Sequence, residues 1–447
     1  MSSMTPVEEV YARQLCPLGK GYPLWYPEPR EDGQAGEVHL GDVGYLHRGA
    51  FVRLFNAMRD ADDPINQRPE DMPNVPDGFE KLVLTHPLFR VGNAISGPLY
   101  SRTMRQVRVE AEGSTHAVSA DLSFECTDQQ GAVLVLGSPA ELQEVLHTKC
   151  MTTYMRKHID NWVAFAESMG LDLPEDRIMF VKGWVKTTHW ALAAFREKGE
   201  NGRCYVHGGL GPMGSASLGV TISRSTQHVA EARCGPAPAS SEASGNASGR
   251  REGVDQTKPK NQCVLLHYFK CRRRWRAPKI IQAAGESPQS EMGDYRDIFE
   301  TPAVPKPYDP VDVILDYILK DDIAKAPDSQ PHISHAIASD ADFCRLMTYY
   351  EDEQDKWATL LGGLTRDAYT KPQAWLLFAA LTDASIPVMV DEDGTAMLDT
   401  PQGFRPKFVP VNHHFTPSLQ ARLTLYMPQV DHEQNRSAKG KGKENRI

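Results

Sequence analysis

The fold is decided by residues 107–126, which read VRVEAEGSTHAVSADLSFEC. Apolar residues alternate with charged ones from Val107 to Ala111, and the alternation returns from Ala120 to Cys126. A period of two is typical of a strand with one buried face and one face in water. Because Gly113-Ser114 supplies a turn between the two runs, this stretch predicts a long antiparallel hairpin.

The flanking sequence predicts more strands and one long helix. Ser138 is a candidate helix cap, Pro139 suits the first helical position, and Glu141 completes a capping box. Apolar residues then recur every three or four positions up to Gly170, which predicts helix over 139–169, either continuous or broken near Thr152. Strands are predicted at 37–58 (a strand, a tight turn and a second strand or short helix), 132–136, 178–187, 189–195, 203–207, 218–223 and 264–269.

The C-terminal third has a different pattern. Helical spacing predicts helices at 311–320, 340–350 and 373–381, and Asp393-Gly394 predicts the turn of a hairpin over 388–398. The predicted fold class is therefore α+β. It comprises a β-rich, mainly antiparallel N-terminal domain with one long helix packed on the sheet, and a smaller, mainly helical C-terminal part.

Composition shifts mark the predicted domain boundaries. Residues 235–262 are rich in Ala, Ser, Gly and Lys and cannot bury enough apolar surface to offset the entropy of ordering. The predicted organisation is an irregular arm (1–36), a β-rich α+β domain (37–300) with a disordered insert (235–262), a Pro-rich linker (301–310), a mainly helical part (311–430) and a disordered basic tail (431–447).

Bulk composition is that of an ordinary globular protein. Of the 447 residues, 40% are apolar and 24% charged, and the net charge of −9 disfavours a protein that coats nucleic acid. Neither a secretory signal nor a transmembrane run is recognisable, and none of the eight cysteines forms a C-x-x-C pair. These features predict an intracellular, cytoplasmic protein with reduced thiols, and the basic runs leave nuclear entry open.

Sequence motifs predict no cofactor, no metal site and no catalytic set. Gly209-x-Gly211-x-x-Gly214 matches a dinucleotide pattern as a string, but a strand instead of a helix follows it, so a hairpin turn is predicted. His332 with His335, and His413 with His414, lack the spacing of known metal motifs. A dispersed catalytic set stays open, because its members need not be close in sequence.

A basic run at 270–279 is the first candidate binding site. It contains six basic residues, no acid and one tryptophan, a combination that suits anionic lipid or nucleic acid; a solvated surface is the alternative. The candidate residues are Lys270, Arg272, Arg273, Arg274, Trp275 and Arg276.

A second candidate is a ligand surface formed by two lysines and two tryptophans. Lys182, Trp184, Lys186 and Trp190 combine cations with aromatic rings, which attract each other at binding surfaces. The alternative is that the tryptophans pack against the 139–169 helix and the lysines are solvated. Both interpretations remain open at the level of sequence.

Several short motifs resemble a large group of proteins from mushroom-forming fungi. The resemblance covers roughly residues 15 to 320 and implies the fold plan, not an activity. The motifs are Gly41-Asp42-Val43-Gly44-Tyr45, Gly49-Ala50-Phe51, Leu54-Phe55-Asn56, Phe124-Glu125-Cys126, Gly131-Ala132, Gly183, Lys186-Thr187, Trp190-Ala191, Ala194-Phe195 and Asn261-Gln262-Cys263-Val264.

The order of elements is also similar to the pore-forming half of gasdermins. The shared order is a strand with Gly41-Asp42-Val43, amphipathic hairpins, a helix, and a strand such as Ile178 to Lys186. The resemblance implies a protein that perturbs membranes. In that case Arg272 to Arg276 would meet anionic head groups, and the part after residue 300 would restrain the β-rich half.

Three functions follow from these patterns. The leading hypothesis is a non-enzymatic intracellular interaction or signalling protein with a protein partner. The alternatives are a gasdermin-like membrane-perturbing effector and an enzyme with a dispersed active site. The patterns do not decide among the three.

Overall fold

The structure is a computed structural model. It describes residues 5–29, 36–69, 72–85, 88–107, 122–146, 148–196, 202–210, 216–223, 230–236, 259–274, 307–325, 333–352, 386 and 388–398. The helices are α1 (Val7–Leu15), α2 (Lys149–Ser168), α3 (Pro310–Lys325) and α4 (Asp340–Asp352). The strands are β1 (Tyr22–Pro23), β2 (Asp42–His47), β3 (Ala50–Asn56), β4 (Leu88–Ile95), β5 (Leu99–Tyr100), β6 (Met104–Val107), β7 (Leu122–Cys126), β8 (Gly131–Leu136), β9 (Ala140–Val145), β10 (Met179–Thr187), β11 (Trp190–Phe195), β12 (Arg203–Leu210), β13 (Ala216–Ile222), β14 (Ala230–Gly235), β15 (Gln262–Arg273), β16 (His335–Ser339), β17 (Val388–Val390) and β18 (Thr395–Leu398).

The main sheet is built around two long antiparallel strands, β10 and β15. Its order is β17-β18-β16-β15-β10-β2-β3, and only the β16–β18 pair is parallel. At the other end of β10, β9 replaces β2 as its neighbour and in turn pairs with β4. The short β1 pairs with the first half of β15.

Two four-stranded antiparallel sheets complete the β structure. The second sheet has the order β14-β11-β8-β5, and the third has the order β13-β12-β7-β6. Two strands of the second sheet are joined along the chain to strands of the main sheet. β8 of the second sheet is followed directly by β9 of the main sheet, and β10 of the main sheet is followed directly by β11 of the second. The two sheets therefore share a pair of long bent strands whose bends lie at 137–139 and 188–189.

Helix α2 packs on the main sheet, as the apolar spacing predicts. Its buried face includes Met151, Met155, Ile159 and Trp162, which recur every three or four residues. The Trp162 ring meets Phe55 of β3 and Phe180 of β10 edge-on, at centroid distances of 5.8 and 5.3 Å. This contact fixes the helix across the sheet.

The contact of α2 with the main sheet forms one hydrophobic core. Two further cores lie on the two faces of the second sheet. One face packs against α1 and the main sheet through residues such as Tyr11, Leu134 and Val264. The opposite face packs against the third sheet through Phe124, Val135 and Phe195. The second sheet is consequently buried on both faces, which accounts for the continuous apolar run in β11.

The helix prediction is wrong at its beginning. Residues 140–145 form β9, which is hydrogen-bonded to both β4 and β10, and α2 starts only at Lys149. Pairing with two neighbouring strands outweighs the local capping signal at Ser138 and Pro139. The structure also places helix α1 at Val7–Leu15, where the sequence analysis expected irregular chain.

Most of the other predicted elements are present. β6 pairs with β7, with Val107 opposite Ser123, which agrees with the predicted hairpin where the two overlap; residues 108–121, which include the rest of its first arm and its turn, lie outside the described chain. β12 and β13 pair on either side of 211–215, which are also outside it. The predicted 388–398 hairpin and the helices starting near 310 and 340 are present; the predicted helix at 373–381 and the basic tail lie outside the described residues.

The α+β fold class with mainly antiparallel strands and one long helix is confirmed. The described residues after 306 contribute α3 and α4 together with three strands, and those strands extend the main sheet. In the part of the chain that the structure describes, no helix combines the length and the apolar character needed to cross a bilayer.

Candidate functional site

Lys270, the first residue of the predicted basic site, is buried. Its side chain is 4% exposed, and its ammonium lies 3.0 Å from Asp309 Oδ2 and also contacts Asp312. The Tyr268 hydroxyl donates to Asp309 Oδ1 at 2.6 Å. Burial alone would lower the pKa of Lys270, but the two carboxylates outweigh it and raise this pKa.

The neighbouring arginines also have partners within the chain. Arg272 pairs with Asp176 at 2.9 Å and with Asp316, and Arg273 pairs with Asp160 and Glu175. The backbone N–H of Arg274 donates to Ser334 O at 3.0 Å. Trp275, Arg276 and the rest of the run lie outside the described residues. In β15 this run therefore holds α3 and the residues around 175 against the main sheet.

Lys182, from the predicted ligand surface, belongs to a second buried cluster. Its ammonium lies 3.7 Å from Asp340 Oδ1, and His267 Nδ1 lies 2.6 Å from Asp340 Oδ2. Burial alone would raise the pKa of Asp340, but Lys182, His267 and the Tyr268 N–H lower it. This cluster joins α4 to β10 and β15.

Lys186 and Trp184 lie elsewhere along β10. The Lys186 ammonium is 4.5 Å from the centre of the Trp184 ring and 2.9 Å from Glu37 Oε2. The side chain of Lys186 is 4% exposed. The ion pair with Glu37 therefore holds residues 36–38 next to the main sheet.

Trp190 lies at a different site, next to Arg233. It is fully buried, and its indole N–H donates to Gln262 Oε1 at 3.1 Å. The guanidinium carbon of Arg233 in β14 lies 5.5 Å from the centre of the Trp190 ring and 4.0 Å from the centre of the Tyr26 ring. The structure thus places two aromatic rings around one arginine that no sequence motif singles out.

Arg233 borders a cavity of about 380 Å³. This volume is within the range of pockets that hold small organic ligands, roughly 300–1,000 Å³. We call it the Arg233 cavity. Its lining residues are Leu24, Tyr26, Pro27, Glu28, Pro29, Gly36, Val38, Ala50, Phe51, Arg233, Asn261 and Cys263.

Backbone hydrogen bonds hold segment 24–29 in place as one wall of the cavity. The N–H groups of Trp25 and Tyr26 donate to Gly49 O at 2.9 and 3.3 Å, and the Cys263 N–H donates to Pro27 O at 2.8 Å. Gly49 has a φ of +78°, and a Cβ there would lie 2.6 Å from Trp25 Cβ, so only glycine fits this contact. The wall is therefore fixed to the turn between β2 and β3 and to β15.

The charged groups of the cavity form an incomplete network. Arg233 Nη2 donates to Glu28 Oε1 at 2.7 Å, and Arg233 Nη1 donates to Trp25 O at 2.6 Å. Glu28 Oε2 is buried, and none of the described residues forms a hydrogen bond with it. Leaving a buried carboxylate oxygen without a hydrogen bond costs free energy, so this network is less stable than one in which both oxygens are bonded.

The Cys263 thiol in the cavity wall does not offer a thiolate. Burial is the main cause that raises its pKa to about 12; nearby Lys186 opposes the shift, and Asp42 and Glu37 add to it. The thiol lies 3.5 Å from Leu265 O, within reach of a weak hydrogen bond. Cys263 is therefore protonated at neutral pH and contributes shape and apolar surface.

The sequence analysis identified the surroundings of the cavity but not its charged groups. The Trp190 ring contacts Arg233, and Lys186 forms an ion pair with Glu37. Lys182 lies away from the cavity, in the cluster around Asp340. Glu28 and Arg233 are 205 positions apart, so no local pattern links them. Among the residues that the structure describes, no group of three His, Cys, Asp or Glu side chains is placed to hold a metal ion.

Comparison with known proteins adds no relative to this picture. No protein-family model matches the sequence, and no curated protein matches it significantly. The argument for function consequently starts from the geometry of the site.

Proposed function

We propose that the protein is an intracellular recognition protein that binds a small organic ligand in the Arg233 cavity. The observation that carries the proposal is the cavity itself, whose wall is held by backbone hydrogen bonds and whose Arg233 guanidinium is fixed by Trp25 O and Glu28. A pocket whose walls are already in place loses little conformational entropy when a ligand binds, and this favours binding.

The residues of the cavity support binding more than chemistry. A guanidinium is a poor proton acceptor, because it keeps its charge throughout the pH range of folded proteins. The Cys263 thiol is protonated at neutral pH and is thus a weak nucleophile. The groups that remain are suited to hold a ligand in one orientation.

An intracellular, cytoplasmic location is part of the proposal. All eight cysteines lie among the described residues, and none is in a disulfide. Five of them are buried, which suits a reducing compartment, where thiols persist. A protein partner that responds to the bound ligand would connect the site to signalling.

Ligand-observed NMR on the purified full chain tests the proposal with a chemically mixed fragment library. We expect several fragments to bind and to lose binding in Ala50→Phe, which places a ring in the cavity. Thr221→Phe is the matched control, because Thr221 is an exposed residue of β13 that does not line the cavity. The proposal is rejected if no fragment binds with a Kd below about 1 mM, or if Ala50→Phe leaves all binding unchanged.

A second candidate function is perturbation of membranes, and the third sheet supports it. Phe124 and Val206 are buried against the second sheet, while Arg105 and Arg203 on the outer face pair with Glu125 at 3.2 and 3.6 Å. Strands with one apolar and one charged face are suited to a lipid surface once the apolar face is released. In this structure that face is covered.

Dye release from vesicles tests the second candidate. The full chain is added to phosphatidylserine vesicles and, as the control, to phosphatidylcholine vesicles. Release from the anionic vesicles alone would support membrane perturbation, and no release from either would reject it for the full chain. The 1–300 fragment is less suitable for this test, because it lacks Asp309, the partner of the buried Lys270.

A further inference from the structure

β4 lies at an edge of the main sheet. Among the described residues it pairs only with β9, continuously from Leu88 to Val91 and again at Ile95. In an antiparallel pair every second residue directs its N–H and C=O away from the partner strand. Within the part of the chain that the structure describes, no backbone group bonds to the outer side of Leu88–Val91. These outward groups are therefore available to a further strand.

The two halves of this edge are protected to different degrees. Folded proteins commonly guard an edge with a β-bulge or a lysine, because an unguarded edge pairs readily with another chain. After Val91 the register with β9 is broken, and the Lys260 ammonium lies 3.5 Å from Gly92 O. Leu88–Val91 pairs regularly with β9 and has no lysine across it. We call Leu88–Val91 the open edge.

Apolar side chains are exposed at the open edge. Phe89 is 39% exposed, and Leu146, which directly follows β9, is 52% exposed. The pairing of Leu88 with Val145 brings these two side chains to the same end of the edge. A strand laid along β4 places one of its own side chains beside the Phe89 ring, and pairs of aromatic and β-branched residues stabilise a sheet.

The charges at this edge decide which strand it accepts. Residues 88–95 include Arg90 and no acid, and Lys260 adds a second cation beside the strand. The acids of β9 lie one strand further from the edge. A second copy of this edge would bring further cations to it, whereas a strand that carries acids is attracted. The charges therefore favour an acidic partner over a second copy of the chain.

We propose that the open edge binds an extended peptide segment of another protein, in which apolar residues alternate with acidic ones. Neighbouring residues of a strand point to opposite faces, so an apolar side chain packs beside Phe89 while the next residue, an acid, meets Arg90. Main-chain hydrogen bonds add the peptide to the main sheet as a further strand. Residues 88–91 do not line the Arg233 cavity, so this binding is independent of the proposed ligand.

Peptide binding to the full chain tests the proposal. The probe is a fluorescent octapeptide of alternating valine and glutamate. One control peptide alternates valine and lysine, and the other is the glutamate peptide with its two central valines replaced by proline, which removes two hydrogen-bond donors. Fluorescence anisotropy should show a Kd below about 1 mM for the glutamate peptide and binding at least about tenfold weaker for both controls. Hydrogen exchange of the backbone amides at 88–91 should slow when the glutamate peptide is bound.

Arg90→Glu is the diagnostic variant, because it reverses the charge of an exposed side chain at the open edge. It should weaken binding of the glutamate peptide about tenfold and strengthen binding of the lysine peptide. Arg345→Glu is the matched control: Arg345 is an exposed arginine of α4, which packs against β15 and β16. The control should bind all three peptides as the parent chain does.

Several outcomes would overturn the proposal. It fails if the glutamate peptide does not bind, if it binds no better than the two control peptides, or if exchange slows elsewhere and not at 88–91. A concentration-dependent dimer that excludes the peptide, detected by light scattering, would identify a second copy as the occupant and would also overturn it. If Arg90→Glu does not fold, the ranking of the three peptides and the exchange at 88–91 in the parent chain still decide.

Discussion

The Lys270–Asp309 network and the Arg233–Glu28 network each pair a cation with a carboxylate, but among the described residues only Asp309 is hydrogen-bonded at both oxygens, so only the first network is complete. Lys270 and Asp309 have side chains that are 4% exposed, and the Tyr268 hydroxyl also bonds to Asp309. The side chains of Arg233 and Glu28 are 27% and 32% exposed, and Glu28 Oε2 is buried without a hydrogen bond from any described residue. The described part of the basic run at 270–279 therefore forms ion pairs within the fold, whereas the candidate binding site contains a single arginine, Arg233.

The two networks differ because the folded chain supplies more hydrogen-bond and ion-pair partners to the first than to the second. Around Lys270, contacts from α3 and β15 close the network, so a ligand would have to displace a buried carboxylate. Around Arg233, the carboxylate comes from segment 24–29, and the space beside it is a cavity. We expect changes in the complete network to affect stability and changes in the incomplete network to affect binding.

The largest effect is expected from Lys270→Met. The substitution leaves Asp309 charged and buried without its cation, which typically costs about 3–5 kcal/mol. Urea denaturation should show this loss in the free energy of unfolding. Adding Asp309→Asn should recover part of it, because an amide oxygen can still accept from the Tyr268 hydroxyl. A loss below about 1 kcal/mol would show that water reaches Lys270, in conflict with its burial.

Arg233→Met is expected to have a smaller effect on stability. Because water reaches both partners, Glu28 can be solvated after the change, and we expect a loss of about 1–2 kcal/mol in the same denaturation experiment. Binding of cavity fragments should fall much more than stability does. A loss of stability as large as that of Lys270→Met would contradict the distinction between the two networks.

The stability of the protein should fall as the pH decreases from 7.5 to 5.5. Burial, followed by Arg273 and Arg156, lowers the pKa of His335 below 6.5 in the folded state. The unfolded chain therefore takes up the proton first, and stability is lost as pH falls through the unfolded pKa of about 6.5. His335→Gln should reduce this slope by up to about 1 kcal/mol per pH unit. His158 also has a lowered pKa, so part of the slope should remain.

The smallest effect is expected from Glu231→Gln. Glu231 pairs with Arg196, and its side chain is 48% exposed, so solvent screens the pair. We expect a change in the free energy of unfolding of less than about 0.5 kcal/mol, which should shrink further in salt. A larger change would mean that the stability of β14 depends on this pair, in conflict with its exposure to solvent.

The sequence predicts elements well where the information is local. β10 and β11 are visible as apolar stretches, the first interrupted by Gly183, and the spacing of Ile159, Trp162 and Ala166 predicts α2. The start of the helix is wrong because the capping pattern at Ser138 is local, whereas the pairing of β9 with β4 and β10 is not. Helix α1 had a usable signal in the spacing of its buried apolar residues, which the nearby acids and prolines obscured.

The candidate site depends almost entirely on long-range contacts. Trp190 was singled out as a candidate ligand residue, and it lies behind the guanidinium of Arg233. Neither Glu28 nor Arg233 has a distinctive sequence context. They become candidate site residues only because a hydrogen bond joins them in the fold across 205 positions of sequence. The prediction that 270–279 binds an anionic partner remains a prediction, although Lys270 and Arg272 already have partners within the chain.

The bends shared by the main and second sheets lie next to the candidate site. At the bends the Gly137 N–H donates to His189 O at 2.9 Å, and the hydroxyls of Ser138 and Thr188 are 2.8 Å apart. Trp190 is the first residue of β11 after the bend, and the centre of its ring lies 5.5 Å from the guanidinium carbon of Arg233. One buried side chain therefore connects the crossing from one sheet to the other with the candidate site.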